Sequence, residues 1–240
     1  MTGEQIAHQL HGGVIVSCHV EEQQGNDAFD ALSYFVHAAM QGGAVGLRIE
    51  GVERIRSIRP QTKLPIIGFT NGTYPDGSPL ITPSLDDIDA LFSAGADIVA
   101  IDTTKRKRPV DTDGFLFFEQ ARKRFHHPLW ADVATFREGV RAAEMRADFV
   151  ATTLAGYTHG TRTDDYKTPD FPLIRELSTS LTIPVIAEGR IWSPEAARHC
   201  LDIGAYAVVV GSAITRPQII TQMFVDELES GSVEGAGEGA

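Results

Sequence analysis

The sequence contains little cysteine, no long hydrophobic run and no excess of positive charge. Cys18 and Cys200 are the only cysteines, and both lie in apolar surroundings. Two such thiols do not make a disulfide framework, so buried, reduced cysteines are expected. No apolar stretch approaches the roughly 20 residues that a membrane-spanning helix needs, and the N-terminus lacks the basic and apolar regions of a secretion signal. These absences favour a soluble cytoplasmic protein with no membrane partner.

The charge balance is acidic, because 21 Lys and Arg stand against 32 Asp and Glu, for a net charge of −11. An acidic surplus repels nucleic acid and anionic membranes, so neither is an expected partner. Residues 230–240 consist mainly of Gly, Ser, Ala and Glu and are predicted to form a flexible tail after a domain of residues 1–229. After Arg216 there is no Lys or Arg, and −5 of the −11 comes from Asp226, Glu227, Glu229, Glu234 and Glu238.

Several catalytic signatures are also missing. The sequence has no G-x-S-x-G motif, no Walker loop and no G-x-G-x-x-G after the first apolar run, which argues against serine hydrolases, NTPases and dinucleotide enzymes. The eight His residues show neither H-x-x-x-H nor H-E-x-x-H spacing, so no metal site is expected. The basic run Lys105–Arg108 could mark a nucleic-acid patch. Because the protein is acidic overall, we expect this run to form a loop over the active site, or a solvated face paired with acidic residues, rather than a nucleic-acid patch.

Eight short apolar, β-branched runs recur along the chain. Each is continuously hydrophobic rather than alternating, which is typical of strands buried on both faces of a parallel sheet. Successive runs begin about 20 to 35 residues apart, which is the size of a βα unit. The runs are residues 13–18, 44–49, 64–69, 97–102, 128–133, 148–153, 183–188 and 206–211.

Helix-like patterns separate the runs. Ser84 is predicted to cap a helix that Gly95 ends, and Ser193 followed by Pro194 is a second capped start. Eight strands with intervening helices in 240 residues favour a single (β/α)8 barrel. An open, doubly wound sheet is the alternative.

Polar residues cluster where the predicted strands end, which in a barrel is the functional face. Four runs contain or end in a charge, at Arg48, Asp102, Asp132 and Glu188. A buried, unpaired charge is costly, so these groups either pair with one another in the barrel mouth or serve a function, and their convergence favours function. Uncharged or weakly basic polar side chains at the same ends are His19, Asn71, Thr103, Thr104, Thr152, Thr153 and Ser212.

The ends of the last two runs resemble a phosphate site. Gly189 and Gly211 let a phosphate approach the backbone, a short helix after Gly211 adds a favourable dipole, and Arg190, Ser212 and Arg216 can add charge and hydrogen bonds. Barrels of this kind commonly bind phosphate at this location, although two ordinary glycine turns are the simpler interpretation. Carboxylates and an Arg beside a phosphate-binding site are suited to proton-transfer chemistry on a small phosphorylated substrate.

Seven motifs, in order and over nearly the whole chain up to Phe224, carry a family resemblance. They are residues 42–48, 64–68, 101–109, 131–133, 152–158, 186–190 and 209–217. These motifs resemble those of the N-acetylmannosamine-6-phosphate 2-epimerases of sialic acid catabolism. The resemblance implies a (β/α)8 fold. It also implies interconversion of N-acetylmannosamine 6-phosphate and N-acetylglucosamine 6-phosphate, by removal and return of the C2 proton, without a redox cofactor.

The resemblance also implies roles for individual residues. Glu188 resembles the family's acidic acid/base residue, and Arg48 and Asp132 resemble its polar partners. The implied phosphate-binding set is Gly156, Gly189, Arg190, Gly211, Ser212 and Arg216.

Two positions depart from the family pattern. Asn71 stands where family members usually carry a catalytic Lys, and Asn cannot carry the proton. His19 stands in place of a Gln, and its ordinary pKa suits a proton shuttle. His19 and Lys105 are therefore candidates to replace the missing lysine. The substitution leaves open a related sugar-phosphate isomerase or lyase-like enzyme, or a non-catalytic sugar-phosphate binder.

The helix predicted after the last run has an apolar stripe formed by Ile219, Ile220, Met223 and Phe224. Packing of this stripe against the barrel is favoured, and a homodimer through the same stripe is the alternative.

Overall fold

Eight parallel strands close into a barrel in the computed structural model, which describes residues 3–18, 28–109 and 112–231. Going round the barrel the order is β1-β2-β3-β6-β7-β8-β9-β10, and β10 pairs back onto β1. The (β/α)8 prediction is confirmed, and the open-sheet alternative is wrong. Each strand lies within two residues of its predicted run. The barrel strands are β1 Val14–Cys18, β2 Gly46–Glu50, β3 Ile66–Phe69, β6 Ile98–Asp102, β7 Leu129–Asp132, β8 Phe149–Ala151, β9 Val185–Glu188 and β10 Ala207–Val210.

Helices follow the barrel strands and pack on their outer faces. Ser84 caps α4 through a reciprocal pair of hydrogen bonds with Asp87, and Gly95 ends that helix with φ of 106°, as predicted. Ser193 accepts a hydrogen bond at the start of α8, also as predicted. The helices are α1 Gly3–Leu10, α2 Ala28–Gln41, α3 Val52–Ile58, α4 Leu85–Ala94, α5 Gly114–Arg124, α6 Phe136–Glu144, α7 Phe171–Ser180, α8 Pro194–Asp202, α9 Ser212–Thr215 and α10 Pro217–Gly231.

Alternate residues of each strand point to opposite faces, and the outward-facing ones pack in two clusters around the barrel. One set points into the barrel, where Ile67, Trp130, Phe149 and Ile186 pack together, and the other set packs under the helices. The helix α1, which the sequence analysis did not predict, contributes Ile6 and Leu10 to the interior core. Because both faces of the strands are covered, consecutive positions carry apolar side chains, which explains the continuous apolar runs in the sequence.

A two-stranded hairpin, also not predicted, is inserted between β3 and α4. Its strands are β4 Asn71–Thr73 and β5 Pro79–Ile81, and they pair antiparallel. The turn is built by Asp76, which accepts hydrogen bonds from Ser78, and by Gly77 with φ of 82°. The Pro-Asp-Gly-Ser sequence in this segment is a turn signal that could have revealed the hairpin.

The last helix, α10, lies on the barrel with little burial. Ile219, Ile220 and Met223 are half-buried, whereas Phe224 is 69% exposed and Leu228 is 75% exposed. The favoured prediction of barrel packing therefore holds for only part of the apolar stripe. This helix extends to Gly231, two residues past the predicted domain end, and the rest of the predicted tail lies outside the described residues. Within the described residues, no helix is both long and apolar enough to cross a membrane.

Candidate active site

Three charged side chains from three different strands meet at the carboxyl end of the barrel. Arg48 on β2 donates to both carboxylate oxygens of Asp132 on β7, at 3.1 and 2.8 Å. Its Nη1 also donates to Glu188 Oε2 on β9, at 3.0 Å. Arg48 and Asp132 are buried, and Glu188 retains 12% exposure. The predicted convergence of these residues is confirmed by their geometry.

Two neighbouring side chains complete this Arg48 cluster. Trp130, fully buried on β7, donates from its indole nitrogen to Asp132 Oδ1 at 2.9 Å. Thr153, directly beyond β8, places its hydroxyl 2.5 Å from Asp132 Oδ1 and 3.0 Å from Glu188 Oε2. Asp132 is therefore held from several sides, whereas the Glu188 carboxyl has fewer donors and is the one that remains accessible.

The Arg48 cluster has more acidic than basic groups, because two carboxyl groups share one guanidinium. Burial raises the pKa of Glu188 to about 7, and the charge of Asp132 adds to this rise, while Arg48 and Thr153 oppose it. Burial lowers the pKa of Arg48, but the carboxylates of Asp132 and Glu188 outweigh burial and raise it above its ordinary value. Glu188 can therefore take up and release a proton near neutral pH beside a permanent cation.

Asp102, at the end of β6, does not join the Arg48 cluster. Its carboxylate pairs with Arg106 at 2.6 Å and accepts a hydrogen bond from the Tyr74 hydroxyl at 3.2 Å. The backbone and hydroxyl of Thr104 bind its other oxygen. Burial and the charge of Asp102 raise the pKa of Tyr74 to about 12, so the phenol stays protonated as a donor. Asp102 thus belongs to a separate Asp102 cluster.

The basic run Lys105–Arg108 fastens the hairpin to the barrel. Arg106 donates to Ser78 Oγ and to the carbonyl of Pro79, and its guanidinium lies 4.1 Å from the centre of the Tyr74 ring. Arg108 is buried and donates to the carbonyls of Thr82, Pro83 and Asp102. The run does form a loop at the mouth, but two of its four cations hold structure rather than substrate.

The structure places Asn71 and Lys105 in different surroundings. Asn71 is exposed on β4, at the start of the hairpin, where it pairs with Ile81. Lys105 has an exposed side chain, and its backbone N–H donates to the buried carboxylate of Glu138 at 3.0 Å. His19 lies outside the described residues.

The predicted phosphate loops lie side by side, because Val209 on β10 pairs with Glu188 on β9. Gly189 and Arg190 follow Glu188, and both have positive φ, at 106° and 60°. A non-glycine residue in this left-handed region is uncommon and is often found at functional sites. The Arg190 Nη1 donates to the carbonyl of Asp165, whereas its Nε is buried and has no hydrogen-bond partner within the described residues.

The second loop begins with Gly211, which precedes the short helix α9. Ser212 begins this helix, in which the Ile214 and Thr215 N–H groups donate to the carbonyl of Gly211. The partial positive charge of a helix N-terminus favours an anion. Thr215 holds α9 to the barrel by donating to the carbonyl of Ser17 on β1, at 2.9 Å. Arg216 follows directly, at the junction with α10.

Gly156, another member of the implied phosphate-binding set, lies in the loop after β8. Its backbone N–H donates to Thr161 Oγ1 at 3.1 Å, so it is occupied within the loop after β8. A side chain at Gly156 would lie 3.2 Å from the guanidinium of Arg190 and 3.1 Å from Thr163. The glycine therefore leaves room for the side chain of Arg190.

The comparisons with known proteins agree with this arrangement. The family model described as "Putative N-acetylmannosamine-6-phosphate epimerase" (NanE) matches residues 32–230, which is most of the chain. The chain belongs to the NanE epimerase family.

Relatives named "Putative N-acetylmannosamine-6-phosphate 2-epimerase" match the chain nearly end to end. One from Caldanaerobacter subterraneus subsp. tengcongensis is 40% identical over 221 residues, 92% of each chain. Another, from Listeria monocytogenes serovar 1/2a, is 39% identical over 228 residues, 95% of this chain and 96% of its own.

Two solved structures are also similar. That of the N-acetylmannosamine-6-phosphate 2-epimerase from Clostridium perfringens has a TM-score of 0.83 and 39% identity, over 92% of this chain and 95% of the other. The thiamine phosphate pyrophosphorylase from Pyrococcus furiosus has a TM-score of 0.60 at 18% identity, which supports the barrel fold alone.

Some contacts of this NanE family site were not foreseen from sequence. Trp130 belongs to an apolar run, but its position two residues before Asp132 places both side chains on the inward face of β7. Thr153 is one of the polar residues at the strand ends and is not among the predicted site residues. The same two-residue periodicity, counted back from Thr153 to the inward Ala151 and Phe149, could have placed it in the site.

Proposed function

We propose that this protein interconverts N-acetylmannosamine 6-phosphate and N-acetylglucosamine 6-phosphate. The observation that carries the proposal is the Arg48 cluster, in which an accessible carboxyl with a pKa near 7 lies beside a neighbouring carboxylate and a buried cation. Membership of the NanE family supports the choice of substrate.

The proposed reaction begins with the open-chain sugar, because its C1 carbonyl makes the C2 proton acidic. The Glu188 carboxylate takes that proton, and the electrons of the C2–H bond move toward the C1 oxygen to form an enolate. A proton then returns to C2 on the opposite face, and the carbonyl re-forms. A carboxyl group with a pKa near the working pH is suited to both halves of such a transfer.

The phosphate would be held beside Glu188 by the two glycine loops. Arg190 has a buried Nε available for an anion, and the helix that begins at Ser212 directs backbone N–H groups to the same place. Arg216 would add a second cation. Anchoring the C6 end in this way fixes C2 near Glu188 and converts binding energy into orientation.

The group that serves the opposite face of C2 is proposed to be His19 or Lys105, since Asn71 has no titratable proton. If a second group returns the proton, deuterium from the solvent enters the product at C2 in every turnover. If Glu188 alone performs both steps, part of the substrate's own proton returns. The fraction of deuterium in product from the first turnovers separates these two paths.

The direct test is incubation with N-acetylmannosamine 6-phosphate in deuterated water, followed by proton NMR. We expect the C2 proton signal to be lost and the epimer to accumulate. Absence of both exchange and epimer would refute the proposed function.

A second candidate is a non-catalytic binder of the same sugar phosphates, favoured by the family resemblance, which implies a catalytic Lys at the position of Asn71. A binder would retain the ligand without turnover, and Asn71→Lys would create activity. If the unmodified protein already turns over and Asn71→Lys lowers the rate, the binder alternative fails. An NMR survey of other sugar phosphates tests the isomerase or lyase-like alternative.

We also propose a homodimer that uses α10, because Phe224 and Leu228 are large apolar side chains with high exposure on that helix. Sedimentation velocity should show a dimer, and Phe224→Glu should shift it to monomer. A monomer at micromolar concentration would contradict this assignment.

The cytoplasm is the proposed location. Cys18 and Cys200 are free and buried, and burial raises the pKa of both thiols, to about 12 and about 11. Reduced, unreactive thiols suit a reducing compartment. Fractionation of cells that produce the protein would test this location.

A further inference from the structure

The hydroxyl of Thr153 lies between the two carboxyl groups of the Arg48 cluster. It is 2.5 Å from Asp132 Oδ1 and 3.0 Å from Glu188 Oε2, so both contacts are within hydrogen-bonding distance. Thr153 reaches this position because it follows Phe149 and Ala151 on the inward face of β8. Its own backbone plays no part in these two contacts.

One hydroxyl has one hydrogen, so Thr153 cannot donate to both carboxylates at once. When Glu188 is ionised, the hydroxyl can donate to Glu188, because Asp132 Oδ1 still accepts from Arg48 and Trp130. When Glu188 is protonated, its O–H can donate to Thr153 Oγ1, and the Thr153 hydrogen then points to Asp132. Thr153 can therefore make a hydrogen bond to the Glu188 carboxyl in both of its protonation states.

We propose that Thr153 is a positioning residue whose hydroxyl reverses its hydrogen bond each time Glu188 takes and releases the C2 proton. This inference rests on the proposed function, since the proton in question is that of the substrate. The reversal breaks no covalent bond. The C2 proton goes to Glu188, the Glu188 O–H turns to Thr153, and the Thr153 O–H turns from Glu188 to Asp132.

Other charged or titratable groups also face Glu188. Arg48 on β2 and Asp132 on β7 contact the carboxyl or its partner directly. Tyr157, in the loop after β8, lies close enough for the charge of Glu188 to help raise its pKa, after burial. Arg190 lies two residues beyond Glu188. Arg48 and Arg190 can only donate, and Asp132 is held by other donors, so none of these three can follow the proton in both directions.

The informative variant is Thr153→Val, which keeps the shape of the side chain and removes the hydroxyl. Removing the hydroxyl takes a charge-assisted bond from ionised Glu188, and in the protonated state it takes both the bond that Glu188 donates to Thr153 and the charge-assisted bond from Thr153 to Asp132. Because the two states lose different bonds, the titration midpoint of Glu188 and the acid limb of the kcat profile should move by roughly one pH unit. We expect plateau kcat to fall roughly tenfold with KM little changed, because the phosphate loops are untouched.

Two further variants separate positioning from simple structural support. Thr153→Ser restores the hydroxyl and should restore both the profile and kcat. Thr152→Val is the matched control, because the neighbouring Thr152 hydroxyl bonds the backbone N–H and C=O of Glu188 but not its carboxyl. That control should lower stability without moving the acid limb.

The titration of Glu188 can also be followed without substrate, by carbon NMR of protein labelled at glutamate carboxyls, with Glu188→Gln to assign the signal. An unchanged Glu188 midpoint in Thr153→Val, or failure of Thr153→Ser to restore it, would overturn the inference. If Thr153→Val folds poorly, Thr153→Ala removes the same hydroxyl with less bulk. If the unmodified protein shows no C2 exchange, the proposed function is refuted instead. The NMR titration of Glu188 would still decide the role of Thr153.

Discussion

The mouth of the barrel holds two buried carboxylate clusters that look alike in sequence and differ in chemistry. In the Asp102 cluster, one acid lies beside two cations: its carboxylate pairs with Arg106, and the buried Arg108 donates to its backbone carbonyl. Both of its carboxylate oxygens accept two hydrogen bonds each. In the Arg48 cluster, two acids from separate strands share one cation, and burial raises the pKa of the more exposed acid, Glu188, to about 7.

The difference teaches that burial and charge balance together separate a structural acid from a chemical one at this rim, because burial raises the pKa of Glu188 most and the charge of Asp132 adds to the rise. The Asp102 cluster is complete and local, since Arg106 lies four residues along the chain, and it fastens the hairpin. In the Arg48 cluster, Asp132 lies 84 positions and Glu188 lies 140 positions from Arg48 along the chain. This cluster has one carboxyl group more than it has cations, and that carboxyl can exchange a proton. Breaking each cluster separately should therefore produce effects of different kinds.

The largest effect is expected from Glu188→Gln. Removing a general acid/base group should lower the rate of C2 exchange by about 100- to 10,000-fold, because such a group typically contributes this much. Proton NMR in deuterated water measures the rate. Glu176→Gln, on the exposed face of α7, is the matched control and should keep full activity; an active Glu188→Gln would remove this residue from the reaction.

The next largest effect is a loss of stability in Asp102→Asn. The change leaves Arg106 without its charged partner beside a buried site, so the free energy of unfolding should fall by about 3–5 kcal/mol. Urea unfolding followed by circular dichroism measures it. The exposed Asp89→Asn should stay within about 0.5 kcal/mol of the parent protein. A stability loss in Asp102→Asn no larger than this control would mean that the Asp102 cluster is not structural.

A smaller effect is expected from Arg190→Gln at the phosphate loops. Losing a charge-assisted hydrogen bond to the phosphate should raise KM roughly ten- to a hundredfold, with a lesser change in kcat. Steady-state kinetics separates the two constants. Arg198→Gln, whose Arg pairs with Asp202 on the surface of α8, is the control, and an equal KM effect there would remove Arg190 from the phosphate site.

The pH dependence of stability should distinguish the same clusters. Because the pKa of Glu188 is raised to about 7 in the folded protein, its protonated form is favoured, and stability is lost as pH rises from about 4.5 through about 7. Glu188→Gln does not titrate, so its stability relative to the parent should increase over this window, by about 1–3 kcal/mol. Urea unfolding at a series of pH values tests this, and a constant difference would contradict the raised pKa.

The smallest effect is expected from Lys105→Met, because the hydrogen bond that Lys105 makes within the described residues runs from its backbone to Glu138. Stability should change by less than about 0.5 kcal/mol. If kcat also changes less than about threefold, Lys105 is not the second acid/base group and His19 becomes the remaining candidate. A large loss of kcat with unchanged stability would instead assign that role to Lys105.

The barrel fold and the convergence of the Arg48 cluster could be predicted from the sequence, because both depend on where the strands lie in the chain. Continuous apolar runs identify strands covered on both faces, and the parallel order of a barrel brings all carboxyl ends to one rim. Arg48, Asp132 and Glu188 were therefore expected to converge without knowledge of any distance. The same reasoning could not assign Asp102 to a different cluster, because Arg106 competes for it from a loop with no periodic pattern.

The sequence by itself determined the (β/α)8 fold, the end of the barrel that holds the chemistry and the family to which the chain belongs. These follow from local properties that each segment carries alone: hydrophobic periodicity, caps and short motifs. Only the tertiary structure decided which carboxylate is balanced and which is not, that Gly156 makes room for Arg190, and that Thr153 bridges two acids. Those outcomes depend on burial and on distances between residues far apart in the chain, and both are defined only when the barrel closes.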